Sequence, residues 1–143
     1  MKRAIVWVAL VIMSVFPATF SRAADTVYVV GQVVHGKMFD YVVNRVWWQE
    51  PSMLGVDITI TGTLNQARIM PFVLVNGQGR KVSQVAGKAS QGFANAAGIQ
   101  MSVVAGEKIR DNVYFQVGPS MQWDLFDVAS MGLNVIPRVA VVR

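Results

Sequence analysis

The stretch that decides the fold runs from residue 99 to residue 128 and reads IQMSVVAGEKIRDNVYFQVGPSMQWDLFDV. Its pattern predicts three short strands joined by tight polar turns. In the middle strand, over residues 109–117, one set of side chains faces a core and the other faces water. The apolar set is Ile109, Val113, Phe115 and Val117, and the polar set is Arg110, Asn112, Tyr114 and Gln116. We therefore expect a core strand of a two-layer β structure.

The chain upstream and downstream of this stretch carries more strand patterns. Residues 56–64 alternate Val, Ile and Leu with Asp and Thr, which predicts a strand with one buried face. In the strand expected over residues 38–48, the inward-facing side chains change parity near Asn44 and Arg45, which predicts a bulge. Short strands at even spacing, without a helical period after residue 25, indicate an all-β sandwich, with a small closed barrel as the alternative. The strands expected outside the first stretch cover residues 27–34, 38–48, 56–64, 69–75, 80–85 and 133–142.

Glycine and proline mark the expected interruptions of these strands. Residues 49–55 contain Pro51 and Gly55 and predict a loop. Residues 86–98 are rich in Gly, Ala, Ser and Asn around a single Phe93, which predicts a long exposed loop. Pro137 cannot donate to a strand ladder, so the last strand is expected at a sheet edge.

The N-terminal residues have the order of a secretory signal peptide. Two basic residues precede an apolar run, which Pro17 interrupts before a group of small residues. Cleavage after Ala23 places small residues at both positions that must be small, so we expect a cleavable signal helix over residues 1–23. A single β-sandwich domain is expected over residues 24–143, without a stable membrane span. An uncleaved anchor is the alternative.

Charge and cysteine content narrow the class of protein. The leader holds three of the 13 basic residues, which leaves ten against eight acidic ones and a formal charge of +2. These ten are scattered along the chain, so a nucleic-acid partner is not expected. The chain has no cysteine, which predicts a fold without disulfides and excludes a lipid-anchored cysteine after the leader. We expect a periplasmic or secreted protein.

Five segments together resemble a known family. They cover about residues 30–128 and read GQVVHGKMFDYVVNRV, VDITITGTLN, PFVLVNGQGRKV, VVAGEKIRDNVYFQV and WDLFDV. They are similar to secreted bacterial domains with an immunoglobulin-like, telokin-like β-sandwich, mostly of unknown function, several of which were first described as immunoprotective extracellular proteins. The resemblance implies an immunoglobulin-like antiparallel β-sandwich of about seven to nine strands. The resemblance implies no catalytic residue, because the positions that match are packing and turn positions. These positions are Asn65, Phe72, Leu74, Gly79, Gly106, Glu107 and Phe115.

Residues that often carry catalysis do not form a convincing set. His35 is the only histidine and lies in a glycine-flanked turn, which suits neither a catalytic triad nor a zinc site. Four carboxylates flank the strands of the deciding stretch and are expected to be solvated turn charges; calcium binding or acid–base hydrolysis is the alternative. We expect no enzyme activity, no cofactor and no metal. The four carboxylates are Glu107, Asp111, Asp124 and Asp127.

Adjacent tryptophans are the most unusual feature of the sequence. Neighbours in a strand point to opposite faces, so only one of Trp47 and Trp48 fits easily into a core. The other is expected in an exposed aromatic patch, unless the loop over residues 49–55 covers it. The candidate interaction surface consists of Trp47, Trp48, Tyr114, Trp123, Phe93 and Arg138.

The function expected from these features is that of an exported, non-enzymatic β-sandwich module that mediates a protein–protein interaction. Its partner would be an unidentified envelope or extracellular protein, met in the periplasm or at the cell surface. The edge strand over residues 133–142 would pair with a strand of that partner. The alternative is a small-ligand or glycan-binding extracytoplasmic protein that uses the exposed tryptophan patch.

Overall fold

The structure is a computed structural model that describes residues 26–85, 93–94 and 99–143. The predicted signal helix and most of the predicted loop over residues 86–98 lie outside the described residues. No helix in the described part is long and apolar enough to cross a membrane. The described residues form eleven strands and a short 3-10 helix over Val128–Ser130. The strands are β1 (Val27–Tyr28), β2 (Val33–His35), β3 (Phe39–Glu50), β4 (Met53–Gly62), β5 (Ala67–Arg68), β6 (Phe72–Asn76), β7 (Lys81–Ser83), β8 (Ser102–Val103), β9 (Lys108–Gln116), β10 (Trp123–Asp127) and β11 (Arg138–Val142).

Two sheets make up the body of the protein. A five-stranded sheet has the order β1-β11-β10-β6-β7, and a four-stranded sheet has the order β2-β3-β4-β9. All neighbours in them are antiparallel except β1 and β11, which run parallel. β5 and β8 form a separate short pair. The prediction of an all-β, largely antiparallel sandwich is confirmed.

The core lies between these two sheets and consists mainly of the inward side chains of both. Tyr41 from β3 and Phe72 from β6 meet edge to face, with ring centroids 5.2 Å apart. Val113 and Phe115 of β9 are buried, as the alternation in the deciding stretch predicts. Each fully buried side chain of this size contributes about 1.5–3 kcal/mol to folding.

The hairpin formed by β3 and β4 is longer than the sequence predicts. β3 continues to Glu50 and β4 begins at Met53, so the expected loop over residues 49–55 is wrong and only two residues make the turn. Gly55 is a strand residue that pairs with β3 and β9, and glycine is required there because the indole of Trp47 lies where a Cβ would be. The bulge expected near Asn44 is confirmed by the register shift that follows Val43.

The two ends of the domain also differ from the prediction. The expected edge strand over residues 133–142 is wrong, because β11 begins after Pro137 and is flanked by β10 on one side and β1 on the other. The expected strand over residues 27–34 is divided between the two sheets. A turn at Gly31 separates the halves, and its positive φ of 92° is a conformation that favours glycine.

We predict that Gly62→Ala lowers the free energy of unfolding by about 1–3 kcal/mol, because overpacking must displace backbone. Gly62 donates to the carbonyl of Glu107 and accepts from the N–H of Gly106, both at 2.9 Å, and a Cβ there would overlap the carbonyl of Val104. The control is Gly77→Ala, where a Cβ meets nothing within 4 Å. Urea unfolding of both variants measures the difference, and equal stabilities would contradict the prediction.

Candidate functional site

The structure divides the six predicted interaction residues among four places. Trp47 and Tyr114 lie on the outer face of the four-stranded sheet, and Trp48 lies at the edge of that sheet. Arg138 lies in β11 of the other sheet. The remaining two are core residues.

The prediction that Trp123 and Phe93 belong to an interaction surface is wrong. Each is only 1% exposed, and both belong to the hydrophobic core. Trp123 begins β10 on the parity that faces inward. Phe93 is held from two sides, because its N–H donates to Asp111 Oδ2 at 2.9 Å and its carbonyl accepts from the N–H of Met101 at 2.7 Å. These bonds keep it at φ 61°, a strained conformation for a residue other than glycine.

Trp47, Gly55 and Tyr114 form a row across three strands of the outer face, and we call them the aromatic row. Gly55 pairs with Trp47 on one side and with Tyr114 on the other, and its missing side chain leaves room for the indole. The Trp47 and Tyr114 rings meet edge to face with centroids 5.9 Å apart. The guanidinium of Arg45 lies 4.6 Å from the indole centroid, within the range of a cation–π contact. The indole therefore already has partners within the chain.

Trp48 lies on the other parity, at the end of the sandwich, and is 39% exposed. Trp48 belongs to a segment of β3, residues 45–49, that we call the β3 edge. β2 pairs with residues 40–42 of β3, and Gly31 donates to the carbonyl of Val43 at 2.8 Å. Beyond the bulge, no strand within the described residues lies on this side of β3. Within the described part of the chain, the β3 edge is therefore an unpaired strand segment with an exposed tryptophan.

Asp57 forms a polar network that the sequence did not reveal. It is 5% exposed and accepts a bidentate pair of hydrogen bonds from Arg110, from Nε to Oδ1 at 2.9 Å and from Nη2 to Oδ2 at 2.6 Å. Asn44 Nδ2 donates to the same Oδ1 at 3.1 Å. The hydrogen bonds from Arg110 hold the pKa of Asp57 below its ordinary value and outweigh the opposing effect of burial. The only available signal was the shared outward parity of Asp57 and Arg110.

The carboxylates near the deciding stretch have separate partners. Glu107 accepts from the N–H of Val104 at 3.0 Å, and Asp111 accepts from the N–H of Phe93. Asp124 forms ion pairs with arginines on the outer face of the five-stranded sheet. Within residues 26–85, 93–94 and 99–143, no group of three or more His, Cys, Asp or Glu side chains is arranged to hold a metal ion.

The expectation that all four carboxylates are solvated turn charges is wrong for Asp127. It is fully buried and accepts from Ser130 Oγ at 2.6 Å and from the N–H of Ala129 at 3.1 Å. Burial raises its pKa more than these hydrogen bonds lower it. His35, by contrast, is exposed and lies 3.1 Å from Asp40.

No protein-family model and no curated protein matches this chain. Two solved structures are similar to it. MPT63, a secreted protein from Mycobacterium tuberculosis, is 13% identical with a TM-score of 0.56, over 82% of this chain and 98% of that one. An uncharacterized β-sandwich protein from Clostridium difficile is 10% identical with a TM-score of 0.49, over 81% of this chain and 93% of that one. The similarity to MPT63 shows the fold that the two chains share.

We predict that the interaction between Asp57 and Arg110 stabilises the protein at neutral pH and is lost in acid. Because the folded-state pKa of Asp57 lies below the ordinary value of about 3.9, the carboxylate stabilises the fold above that value. The contribution disappears as the pH falls through the lowered pKa. The measurement is the coupling free energy between Asp57→Asn and Arg110→Gln, from urea unfolding of both single variants and the double variant at about pH 7 and about pH 2.5. A coupling that is the same at both pH values would contradict the prediction.

Proposed function

We propose that this chain is an exported, non-enzymatic β-sandwich module that binds another protein in the periplasm or at the cell surface. The observation that carries the proposal is the β3 edge, which no other described strand pairs with on this side and which carries the exposed Trp48. The partner would contribute an extended strand that pairs with residues 45–49 and continues the four-stranded sheet. We also propose that the domain belongs with the immunoglobulin-like, telokin-like sandwiches that its sequence resembles.

Export is supported by the sequence and by the similar structure. Residues 1–23 have the order of a secretory leader. The core is built from apolar side chains on both sheets, and it accounts for a stable fold in an oxidising compartment without disulfides. MPT63, which has a similar fold, is a secreted protein.

The composition of the β3 edge supports strand pairing with a partner. Native edge strands are commonly blunted by a charge, by proline or by a covering loop. The single charged residue of the β3 edge is Arg45, and its guanidinium lies over the Trp47 ring on the outer face. Val46, Trp48 and Gln49 are neutral, and the first proline comes only in the turn that follows, at Pro51. A partner strand therefore meets backbone groups next to a large apolar side chain.

The non-enzymatic part of the proposal is supported by the environment of the acidic side chains. Asp57 is engaged by Arg110, and Asp127 by Ser130 and Ala129, so each carboxylate already has hydrogen bonds within the fold. An acid–base pair needs two carboxyl groups that share one substrate site.

The glycan alternative has weaker support than strand pairing. A sugar ring needs an open aromatic face, and the Trp47 ring contacts Gly55, Tyr114 and Arg45. Trp48 is the more exposed of the two adjacent tryptophans and is the one that a ring ligand would reach.

We predict that a photo-crosslinking amino acid at Gln49 gives a discrete crosslinked product in intact producing cells, because that position lies on the β3 edge. The same amino acid at Gln78, in the turn between β6 and β7 of the other sheet, is the control and should give no such product. Trp48→Lys should abolish the product from Gln49, since a lysine at an edge opposes strand addition.

The mass of the crosslinked product separates the possible partners. A product larger than two copies of this chain identifies a different protein, and a product of two copies identifies self-association at the same edge. Absence of a product at Gln49, equal products at both positions, or a product that Trp48→Lys does not reduce would contradict the proposed site. If the protein binds members of an oligosaccharide panel but gives no crosslinked product from Gln49, the glycan alternative is favoured.

We predict that the protein recovered from the cell envelope or the medium begins at Ala24, because the leader places small residues at both positions that must be small for cleavage after Ala23. N-terminal sequencing of the recovered protein measures this. Substituting the residue at the cleavage position, Ala23→Arg, should block processing and leave the longer chain. Recovery of the unprocessed chain in the cytosol would contradict export.

A further inference from the structure

The outer face of the five-stranded sheet carries a row of side chains that crosses four strands. Lys81 of β7 pairs with Val75 of β6, Val75 pairs with Asp124 of β10, and Asp124 pairs with Ala140 of β11. Phe126 lies two residues along β10 on the same face and is largely buried. The segment before β11 faces this side chain, because Met131 and Ile136 line the same cavity as Phe126.

A cavity of about 520 Å³ lies between that sheet face and the segment before β11. Its apolar lining comes from Val75 and Phe126 on the sheet and from Met131 and Ile136 on that segment. This volume falls within the range of about 300–1,000 Å³ that is typical of small-molecule sites. The cavity therefore has room for a ligand with an apolar part.

The charged lining of the same cavity is unbalanced. Lys81, Arg138 and Arg143 contribute three cationic groups, and Asp124 contributes one carboxylate. Asp124 lies 3.1 Å from Arg143 Nη2 and 3.6 Å from Arg138 Nε. The side chain of Arg143 is 51% exposed, where an ion pair is weak, and its guanidinium has more donors than one carboxylate contact uses. The cavity is therefore cationic at its rim and apolar at its base.

We propose that this cavity binds a small amphipathic anion, with one carboxylate or phosphate head group and a short apolar tail. Arg143 and Lys81 bind the head group through charge-assisted hydrogen bonds. The tail packs against Phe126 and Ile136, where it replaces water on an apolar surface. Asp124 holds Arg143 at the rim and so positions it for the ligand.

Isothermal titration of the mature protein with sodium octanoate and with octyl phosphate tests the proposal. We expect saturable binding of at least one of these probes and chemical-shift changes at Val75, Phe126 and Ile136 in an NMR titration. Octanol has the tail without the charge, and acetate has the charge without the tail. Octanol and acetate should each bind at least about tenfold more weakly than octanoate, because each lacks one of the two interactions.

Lys81→Gln/Arg143→Gln should weaken octanoate binding by about tenfold or more, because it removes both head-group contacts. Lys37→Gln/Lys108→Gln changes the net charge equally at positions outside the cavity lining and should bind octanoate as the unmodified protein does. Both variants should keep the unfolding midpoint of the unmodified protein, which separates loss of binding from loss of folding.

Vesicles of phosphatidylglycerol distinguish a lipid head group from a free anion as the source of the ligand. Vesicle binding that octanoate displaces assigns the site to a lipid, and octanoate binding without vesicle binding assigns it to a free amphiphile. Three results would overturn the proposal: octanol binding as tightly as octanoate, equal losses in the two double variants, or no binding of either anionic probe.

Discussion

The central strand β4 constrains both the core and the outer face of the four-stranded sheet. It pairs along its length with β3 on one side and β9 on the other, and its inward residues Val56, Ile58 and Ile60 are completely buried. Because side chains alternate, that burial forces Gly55 and Asp57 to the outer face. A slip of one residue would exchange the two sets. The aromatic row and the Asp57 network are therefore positioned by the packing of the opposite face.

Two buried carboxylates show how differently the fold treats a negative charge. Asp57 has a guanidinium partner, and its pKa is lowered, so its contribution to stability is present at neutral pH and is lost in acid. Asp127 has hydrogen bonds without a cation, and its pKa is raised. Its contribution is therefore present in acid and decreases as the pH rises through the raised pKa. Burial and the nearby Asp127 also raise the pKa of Tyr41.

The buried Asp127 takes part in a chain of hydrogen bonds that links the two sheets. Asp127 accepts from Ala129 at the start of the 3-10 helix and from Ser130 Oγ, which itself accepts from the N–H of Lys37 at 2.8 Å. Lys37 lies in the turn between β2 and β3, so the chain of bonds joins the end of β10 in one sheet to a turn of the other. Gly36 in the same turn approaches Asp127 and Ser130 so closely that a Cβ would lie 3.1 Å from an oxygen of each. Hydrogen bonding thus closes one end of the sandwich.

The sequence predicted those features that depend on the parity of a single strand. Alternation predicted β9 and the bulge after Val43, because the burial of one face leaves a local pattern. It failed where a distant contact decides the local structure. Gly55 resembles a loop residue until the Trp47 indole lies over it, and Phe93 is buried although the residues around it are small and polar. The pair of Asp57 and Arg110 depends on the register between β4 and β9, which neither strand encodes alone.

The β3 edge and the cationic cavity lie on different sheets, and this separation determines how two ligands could act together. The β3 edge belongs to the four-stranded sheet, whereas the cavity is built on β6, β10 and the segment before β11. A strand added at the β3 edge continues its own sheet and does not cross the outer face of the other. Any coupling would have to pass through the core, where Tyr41 of β3 meets Phe72 of β6. Because close-packed interiors have low compressibility and transmit strain, these aromatic contacts are the route by which a ligand at one place would affect the other.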